Sequence, residues 1–265
     1  MPSPSSLFSP LPDPVHPARI GDVLIGPQPV KILASIMAPG TSDLIETAYD
    51  YQRLEGDRSI DILEWRADFF ESPGLNAFLA AALELRQCTE KPVVWTLRTR
   101  AEGGLAPDDE SYREQVLGMA ASGLVDAVDM ELARGITAED VALARQAQTR
   151  VILSYHNFEK TPSQEAMLEM LLAMDALGAD VLKIAVMPRT PEDVLSLLSV
   201  TCAARRRTGK PVISMSMGAW GALSRVSGAI FGSSAAFASV VHASAPGQFE
   251  VSRARTLMRE LLQAS

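Results

Sequence analysis

Short apolar runs alternate with longer helix-like stretches along most of this chain. The runs are rich in branched aliphatic residues and are bounded by Gly, Pro or polar clusters, which is typical of buried strands. Eight are predicted as strands: Lys31–Ile36, Ile60–Trp65, Val93–Leu97, Ala127–Met130, Val151–Tyr155, Val181–Val186, Val212–Met215 and Ala229–Phe231. Their starts lie about 17 to 34 residues apart, close to the ~30-residue unit of a barrel of about 250 residues. An α/β fold of the (β/α)8 barrel class is therefore favoured over an open doubly wound sheet.

Turn and cap residues lie where the predicted helices begin and end. Gly178 follows an apolar helical pattern and is predicted as its C-terminal stop. Thr190-Pro191 and Thr161-Pro162 each place a capping hydroxyl before a proline suited to the first helical turn. No linker interrupts the alternation, so residues 21–265 are predicted to form a single domain.

The first 20 residues have a different composition from the remainder. They are rich in Pro and Ser and lack the basic segment and apolar core of a secretory signal. Residues 1–20 are therefore predicted to be a disordered tail.

Composition and charge narrow the classes of function. Of 265 residues 47% are hydrophobic and 21% charged, as in soluble globular proteins, and the net charge of −8 argues against a general nucleic-acid surface. The two cysteines, Cys88 and Cys202, lie in predicted helices, so a disulfide framework is not expected and a reducing cytoplasm fits. Cys and His do not cluster as metal ligands would, and no uncharged apolar run is long enough to span a membrane.

Lys183 stands in the middle of the predicted strand Val181–Val186. Alternation places it on the same face as Val181 and Ala185, away from water. Desolvation favours the neutral amine, and a neutral lysine amine attacks ketones to form Schiff bases. The structural alternative is a lysine paired with a buried carboxylate.

Polar side chains recur at the ends of several predicted strands with the spacing of one strand face. These pairs are Glu64 and Arg66, Thr96 and Arg98, Asp129 and Glu131, and Ser154 and His156. Any one pair could be a solvated strand end. In a barrel, however, inward side chains at the carboxyl ends of strands meet in one site. The recurrence, with Lys183 on the next strand, predicts such a site.

Only three histidines occur, and His156 is the one placed for chemistry. It ends the strand before that of Lys183, where it can act as a general acid or base. Its alternative role is to anchor a loop. His16 lies in the predicted tail, and His242 lies in a predicted helix.

Two further segments carry candidate ligand-binding groups. Arg225, in a glycine-bearing segment after the seventh predicted strand, offers a planar fork for a carboxylate. Gly232-Ser233 could equally indicate a phosphate site, which often follows strands seven and eight. Residues 244–248 are a polar loop of the kind that can fold over a site.

Taken together, six segments resemble the type I 3-dehydroquinate dehydratases, enzymes of the shikimate pathway. The matching segments are Asp61–Asp68, Thr96–Gly104, Ser154–His156, Lys183–Pro188, Ser216–Arg225 and Ser244–Gln248. They occur in the family's order and cover the chain from about residue 31 to its end.

The resemblance implies a cytoplasmic barrel enzyme, often a homodimer, that uses no metal and no organic cofactor and has no nucleic-acid or membrane partner. It implies dehydration of the small-molecule substrate 3-dehydroquinate to 3-dehydroshikimate through an imine. Lys183 would be the Schiff-base nucleophile, His156 the proton-transfer group and Glu102 a neighbour that tunes or orients His156. The substrate-binding residues implied are Ser35, Glu64, Arg66, Arg98, Arg225, Ser244 and Gln248.

Two positions depart from the family pattern: Asn157 stands where Asp is usual, and Ala236 where Thr is common. Neither change removes a predicted catalytic group.

Two other functions stay open at this point. One is a Schiff-base barrel of the class I aldolase kind, with a phosphate near Gly232-Ser233. The other is a barrel that binds a cyclic polyhydroxy acid without turnover.

Overall fold

Eight parallel strands form the centre of the molecule. The computed structural model describes residues 13–108 and 110–263. A short antiparallel hairpin, β1 (Ala18–Ile20) and β2 (Val23–Ile25), precedes the central sheet. The sheet contains β3 (Lys31–Ile36), β4 (Ile62–Arg66), β5 (Val93–Thr96), β6 (Ala127–Glu131), β7 (Arg150–Asn157), β8 (Val181–Val186), β9 (Val212–Ser216) and β10 (Ala235–Phe237). Its strand order is β10-β3-β4-β5-β6-β7-β8-β9.

Helices follow the strands and cover the outside of the sheet. They are α1 (Thr41–Gln52), α2 (Leu75–Cys88), α3 (Ser111–Ser122), α4 (Ala138–Gln146), α5 (Gln164–Ala176), α6 (Pro191–Thr208), α7 (Ala222–Val226), α8 (Gly228–Phe231) and α9 (Val251–Gln263). Within the described residues, 3-10 turns lie at Gly56–Arg58, Ala67–Phe69, Arg100–Glu102 and Leu132–Arg134. None of the helices in the described chain is both long and apolar enough to cross a membrane.

The two edge strands of the sheet approach each other and close it. Val212 at the start of β9 bridges Ser233, and the Ser234 backbone N–H donates to the Val212 carbonyl at 2.7 Å. Together with the strand order and the alternating helices, this confirms the predicted single-domain (β/α)8 barrel.

Strand alternation divides the core into an interior and an outer layer. The interior contains Leu33, Ile62, Val94, Ala127, Ile152, Val181, Ala185, Ile213, Met215, Ala235 and Phe237. The intervening residues, such as Leu182 and Ile184, pack outward against the helices. On six neighbouring strands the inward positions nearer the carboxyl end are polar, among them Asp129, Ser154 and Lys183. The barrel is thus apolar at its base and polar at its top.

The hairpin closes the base of the barrel. Ala18, Ile20 and Ile25 are buried in the interior cluster, and the His16 backbone N–H donates to the Gly209 carbonyl at 2.8 Å. The prediction of a disordered tail to residue 20 is therefore wrong for residues 18–20, because alternate side chains there fill the open barrel end. Residues 1–12 lie outside the described residues.

The eighth predicted strand was placed too early in the chain. Ala229, Ile230 and Phe231 belong to α8, and Ile230 is 41% exposed. The strand is Ala235–Phe237, with Ala235 and Phe237 facing the interior. Three apolar residues fit a helical turn as well as a strand, so composition could not separate the two.

Helix ends follow the predicted cap chemistry in two of three places. Thr190 caps α6 with Pro191 in its first turn, and Gly178 (φ +94°) follows α5. The cap of α5, however, is Ser163, whose hydroxyl accepts from the Ala166 N–H at 3.3 Å. Thr161 instead donates to the Met187 carbonyl.

Gln148 provides a test of backbone strain, because it is a non-glycine residue with φ +63°. A left-handed conformation costs roughly 1 kcal/mol for a residue with a Cβ. We therefore expect Gln148→Gly to raise the free energy of unfolding by about 1 kcal/mol in urea titrations. Gly135 (φ +69°) is the matched control, since a Cβ there meets nothing within 4 Å. Gly135→Ala should lower the free energy of unfolding by a similar amount. A loss of stability in Gln148→Gly, or a gain in Gly135→Ala, would contradict the strain argument.

Candidate active site

A cavity of about 170 Å³ opens at the carboxyl ends of the barrel strands. Eight of the ten residues predicted for the site line it: Glu64, Arg66, Arg98, Glu102, His156, Lys183, Ser244 and Gln248. The apolar part of the lining includes Phe158, Ala185, Met215, Met217 and Phe237. Of the two predicted residues outside this lining, Ser35 contacts Glu64, and Arg225 contacts the loop that covers the cavity.

Lys183 points into the barrel and is 3% exposed. Its Nζ donates to Asp129 Oδ2 at 2.7 Å, lies 4.0 Å from Glu64 Oε1 and sits 4.6 Å from the centroid of the Phe237 ring. The buried carboxylate considered as the structural alternative is therefore present beside Lys183, and the lysine also lines the cavity. Because Asp129 lies beside the amine, it is placed to receive the proton that the amine must lose before it can attack.

His156 is held by a carboxylate on the neighbouring strand. Its Nδ1 lies 2.7 Å from Glu131 Oε2, and its backbone N–H donates to Glu131 Oε1 at 3.3 Å. Burial and the cations Arg98 and Lys183 hold the pKa of His156 well below its usual range. Burial also raises the pKa of Glu131 to about 8. At neutral pH both groups are therefore biased toward their uncharged forms.

Arg98 links the carboxylates at the centre of the site. Its Nη2 lies 2.8 Å from Asp129 Oδ1, and its Nη1 lies 3.1 Å from Glu131 Oε2 and 3.6 Å from Glu102 Oε2. Burial opposes the charged form of Asp129, but Arg98 and Lys183 outweigh it and hold the pKa of Asp129 well below its usual range. Arg98 therefore keeps the partner of the lysine ionised.

Glu102, predicted to orient His156, contacts other groups. Its Oε1 accepts from Arg134 Nε at 2.7 Å, and its Oε2 accepts from the Thr99 backbone N–H at 3.3 Å. The carboxylate that contacts His156 is Glu131. Glu102 still lines the cavity, on the 3-10 turn after β5.

Arg66 is fixed in place by a residue two positions further along. Its Nε and Nη2 donate to the two carboxylate oxygens of Asp68, each at 2.8 Å. Asp68 also accepts from the backbone N–H groups of Arg98 and Leu105. This paired geometry holds Arg66 at the edge of the cavity.

A chain of hydrogen bonds joins strand ends to the loop above the cavity. Ser35 donates to Glu64, and the hydroxyls of Ser35 and Ser244 lie 2.9 Å apart. Gln248 accepts from the Ser244 N–H and donates to the Ser244 hydroxyl, both at 2.9 Å. Residues 244–248 therefore lie over the cavity and present these hydroxyl and amide groups to it.

Arg225 is a buried cation without a carboxylate partner in the described structure. Its Nη2 donates to the Pro246 carbonyl at 2.9 Å, while its Nε and Nη1 have no hydrogen-bond partner. Burial lowers its pKa to about 10. A buried guanidinium with free donors is the arrangement expected of an anion site before its ligand binds.

The phosphate site considered at Gly232-Ser233 is not supported by its position. Ser233 bridges Val212 at the start of β9, which is the opposite end of the barrel from the cavity. The Gly232 carbonyl accepts from Arg205, and the Ser233 hydroxyl donates to the Ala235 carbonyl.

The prediction that His242 lies in a helix is wrong. His242 lies exposed in the irregular segment between β10 and α9.

Two carboxylates of the site, Asp129 and Glu131, were noticed in the sequence only as a polar strand end. Their i, i+2 spacing indicated that both point into the barrel. Nothing local showed that they contact Lys183 and His156, because those residues are 54 and 25 positions away in the chain.

Comparisons with known proteins show the family to which this chain belongs. A family model described as type I 3-dehydroquinase matches residues 32–265. A 3-dehydroquinate dehydratase of Salmonella agona (strain SL483) is 40% identical over 254 residues, covering 92% of this chain and 98% of the relative. The crystal structure of 3-dehydroquinate dehydratase from Geobacillus kaustophilus HTA426 aligns with a TM-score of 0.88 and 35% identity, over 95% of this chain and 98% of that one. A type I enzyme from Clostridium difficile, solved with covalent modified comenic acid, aligns with a TM-score of 0.86 and 33% identity, over 94% and 99%.

The fold and the cavity define a (β/α)8-barrel enzyme with its site at the carboxyl ends of the strands. The chain belongs to the type I 3-dehydroquinase family, and thus to the lyases of the shikimate pathway. The resemblance seen in the sequence is confirmed.

The stability of the site should depend strongly on Arg98. We expect Arg98→Met to lower the free energy of unfolding by about 3 kcal/mol or more, because it leaves buried carboxylates without their cation. Arg113 is the control, since it pairs with Asp140 at 2.7 Å but its side chain is 52% exposed. Arg113→Met should cost about 0–1 kcal/mol. Urea unfolding at pH 7 measures both, and equal losses would argue against a central role for Arg98.

Proposed function

We propose that this enzyme dehydrates 3-dehydroquinate to 3-dehydroshikimate through a Schiff base on Lys183, with His156 as general acid and base. The observation that carries this proposal is the shared cavity: it brings an amine, an imidazole and several polar donors together inside a closed barrel. The family gives the overall reaction, and the positions of these groups support the roles given to each residue.

The first stage of the reaction converts the ketone to an imine. Lys183 transfers its proton to Asp129, and the free amine attacks the ketone carbon to form a carbinolamine. Asp129 returns that proton to the carbinolamine hydroxyl, which leaves as water and gives a protonated imine. This cation draws electrons from the adjacent carbon, so the hydrogen there becomes acidic enough for removal.

The second stage eliminates water from the ring. His156 takes the proton from the carbon next to the imine, and an enamine forms. The enamine expels the β-hydroxyl, to which His156 returns the proton, so that this group leaves as water. A second water hydrolyses the imine and restores Lys183. One histidine is sufficient because it accepts and donates the same proton.

The remaining predicted residues bind the substrate in this proposal. Arg225 binds the carboxylate, because it is a buried guanidinium whose Nε and Nη1 have no hydrogen-bond partner. Glu64 and Arg66 hold ring hydroxyls. Ser35, Ser244 and Gln248 complete the binding groups near the covering loop. Arg98 acts chiefly by fixing the carboxylates beside the reacting groups, and Glu102 lines the cavity next to them.

We also propose that the enzyme is a cytoplasmic homodimer, as the family resemblance implies. Light scattering coupled to gel filtration tests the dimer. A mass of 28.5 kDa at micromolar concentration would be that of a single chain and would contradict it.

Trapping with borohydride tests the covalent step. We expect reduction in the presence of substrate to add the ligand mass to the peptide that contains Lys183. Lys183→Met should abolish both this adduct and the ultraviolet absorbance of the conjugated product. Lys210→Met is the control, because Lys210 pairs with Asp175 outside the cavity. An adduct on another lysine would overturn the mechanism, and binding without turnover would favour a sensor.

Substitution of Arg225 tests the carboxylate site. We expect Arg225→Met to raise KM about 10- to 100-fold, as for the loss of a charge-assisted hydrogen bond worth roughly 1.5–3 kcal/mol. Arg225→Lys should have an intermediate effect, because it keeps the charge but loses the planar fork. Steady-state kinetics measure both, and an unchanged KM in Arg225→Met would assign the carboxylate to another residue.

A further inference from the structure

We infer that Glu131 is the positioning residue of His156 and determines which ring nitrogen of His156 carries the proton. This inference rests on the proposed function, because it concerns the proton-transfer group of that reaction. It differs from the expectation that Glu102 orients the histidine.

The geometry joins Glu131 and His156 at two points. Glu131 Oε2 lies 2.7 Å from His156 Nδ1, and Glu131 Oε1 accepts from the His156 backbone N–H at 3.3 Å. The two side chains are 1% and 8% exposed. One carboxylate therefore fixes both the ring and the backbone of the histidine, which leaves Nε2 as the ring nitrogen for the substrate.

Glu131 is itself held rigidly. Arg98 Nη1 lies 3.1 Å from its Oε2, and the Ser154 hydroxyl lies 3.3 Å from the same oxygen. Its backbone N–H donates to the hydroxyl of Tyr112 on α3 at 2.9 Å. These contacts hold the carboxylate at the distance that His156 requires.

Two protonation forms of the pair give His156 opposite functions. When Glu131 carries a proton, its Oε2–H donates to Nδ1, and Nε2 carries the hydrogen that faces the substrate. When the pair loses one proton, Glu131 is a carboxylate that accepts from Nδ1–H, and Nε2 presents its lone pair. The first form is an acid and the second is a base, so Glu131 sets which step His156 can perform.

The charges around the pair favour its uncharged form in the resting site. Groups facing His156 come from β4 (Arg66), the end of β5 (Arg98), β6 (Asp129 and Glu131), the 3-10 turn after β5 (Glu102) and β8 (Lys183). The three cations disfavour an imidazolium, and burial disfavours both charges. The raised pKa of Glu131, about 8, agrees with a proton that rests on the carboxyl below that pH.

Nitrogen-15 NMR of the ligand-free enzyme tests this inference without relying on turnover. Only three histidines are present, and His16 and His242 are exposed, so the His156 signals are those lost in His156→Asn. In the wild type we expect the protonated ring nitrogen to change from Nε2 to Nδ1 as pH rises through about 8. No change of nitrogen across this range would overturn the inference, even if Glu131→Gln does not fold.

Two variants identify the carboxylate responsible. In Glu131→Gln the change of nitrogen near pH 8 should disappear, because the amide cannot ionise. In Glu102→Gln, which removes a neighbour of Arg98 without touching the ring contact, the change should persist. The reverse pattern would assign the orienting role to Glu102 and overturn the inference.

The pH dependence of kcat/KM provides a second measurement, which a purely structural role of Glu131 would leave unchanged. We expect Glu131→Gln to lower kcat by about 10²- to 10⁴-fold, as when a histidine is held in the wrong tautomer, with KM changed less than about threefold. In the wild type kcat/KM should rise with pH as the pair loses its proton, and this rise should be absent in Glu131→Gln.

Borohydride trapping in Glu131→Gln separates this inference from the proposed function. A normal Lys183 adduct with low kcat supports Glu131 as positioning residue, because imine formation is intact. A wild-type enzyme that forms no adduct would defeat the proposed function while leaving the NMR result informative. If Glu131→Gln had the same kcat as the wild type, the proposed positioning role of Glu131 would be overturned.

Discussion

The site depends on a single buried guanidinium. Arg98 pairs with Asp129 and Glu131 on β6, and these two carboxylates contact the amine of Lys183 and the imidazole of His156. Asp129 and Glu131 lie two residues apart on one strand in a dry interior, where ionisation of both would be unfavourable. Arg98 offsets the desolvation of Asp129 and keeps it ionised, and it lies beside the Glu131 carboxyl group. The amine and the imidazole are therefore positioned through Asp129 and Glu131, and Arg98 contacts both of these acidic groups.

The barrel makes such an arrangement possible. Its base is filled by aliphatic side chains and closed by the β1–β2 hairpin, so the interior excludes water from below. Two residues further along six of the barrel strands, the same inward face carries polar groups. A strand period of two residues converts a linear sequence of polar pairs into a ring of side chains at the carboxyl ends. The low dielectric beneath that ring strengthens the contacts within it.

The site shows which roles sequence reasoning could assign and which it could not. Lys183 and His156 stood out because a cation in an apolar strand and a histidine at a strand end are unusual in themselves. Their partners did not stand out. Glu102 follows Arg98 by four residues and was assigned to His156, whereas the structure places it against Arg134 and places Glu131 at the imidazole. Contact between side chains distant in the chain follows from strand register, which no local pattern specifies.

The sequence by itself determined the fold class, seven of the eight barrel strands and most of the polar residues that line the cavity, because hydrophobic period and polar strand ends are local properties. It could not distinguish α8 from β10, since three apolar residues satisfy either geometry. Only the tertiary structure decided that Ala18–Ile20 belongs to the barrel base, that Asp129 pairs with Lys183 and that Arg225 keeps free donors. Each of these depends on distances between segments far apart in the chain, and those distances are set when the sheet closes.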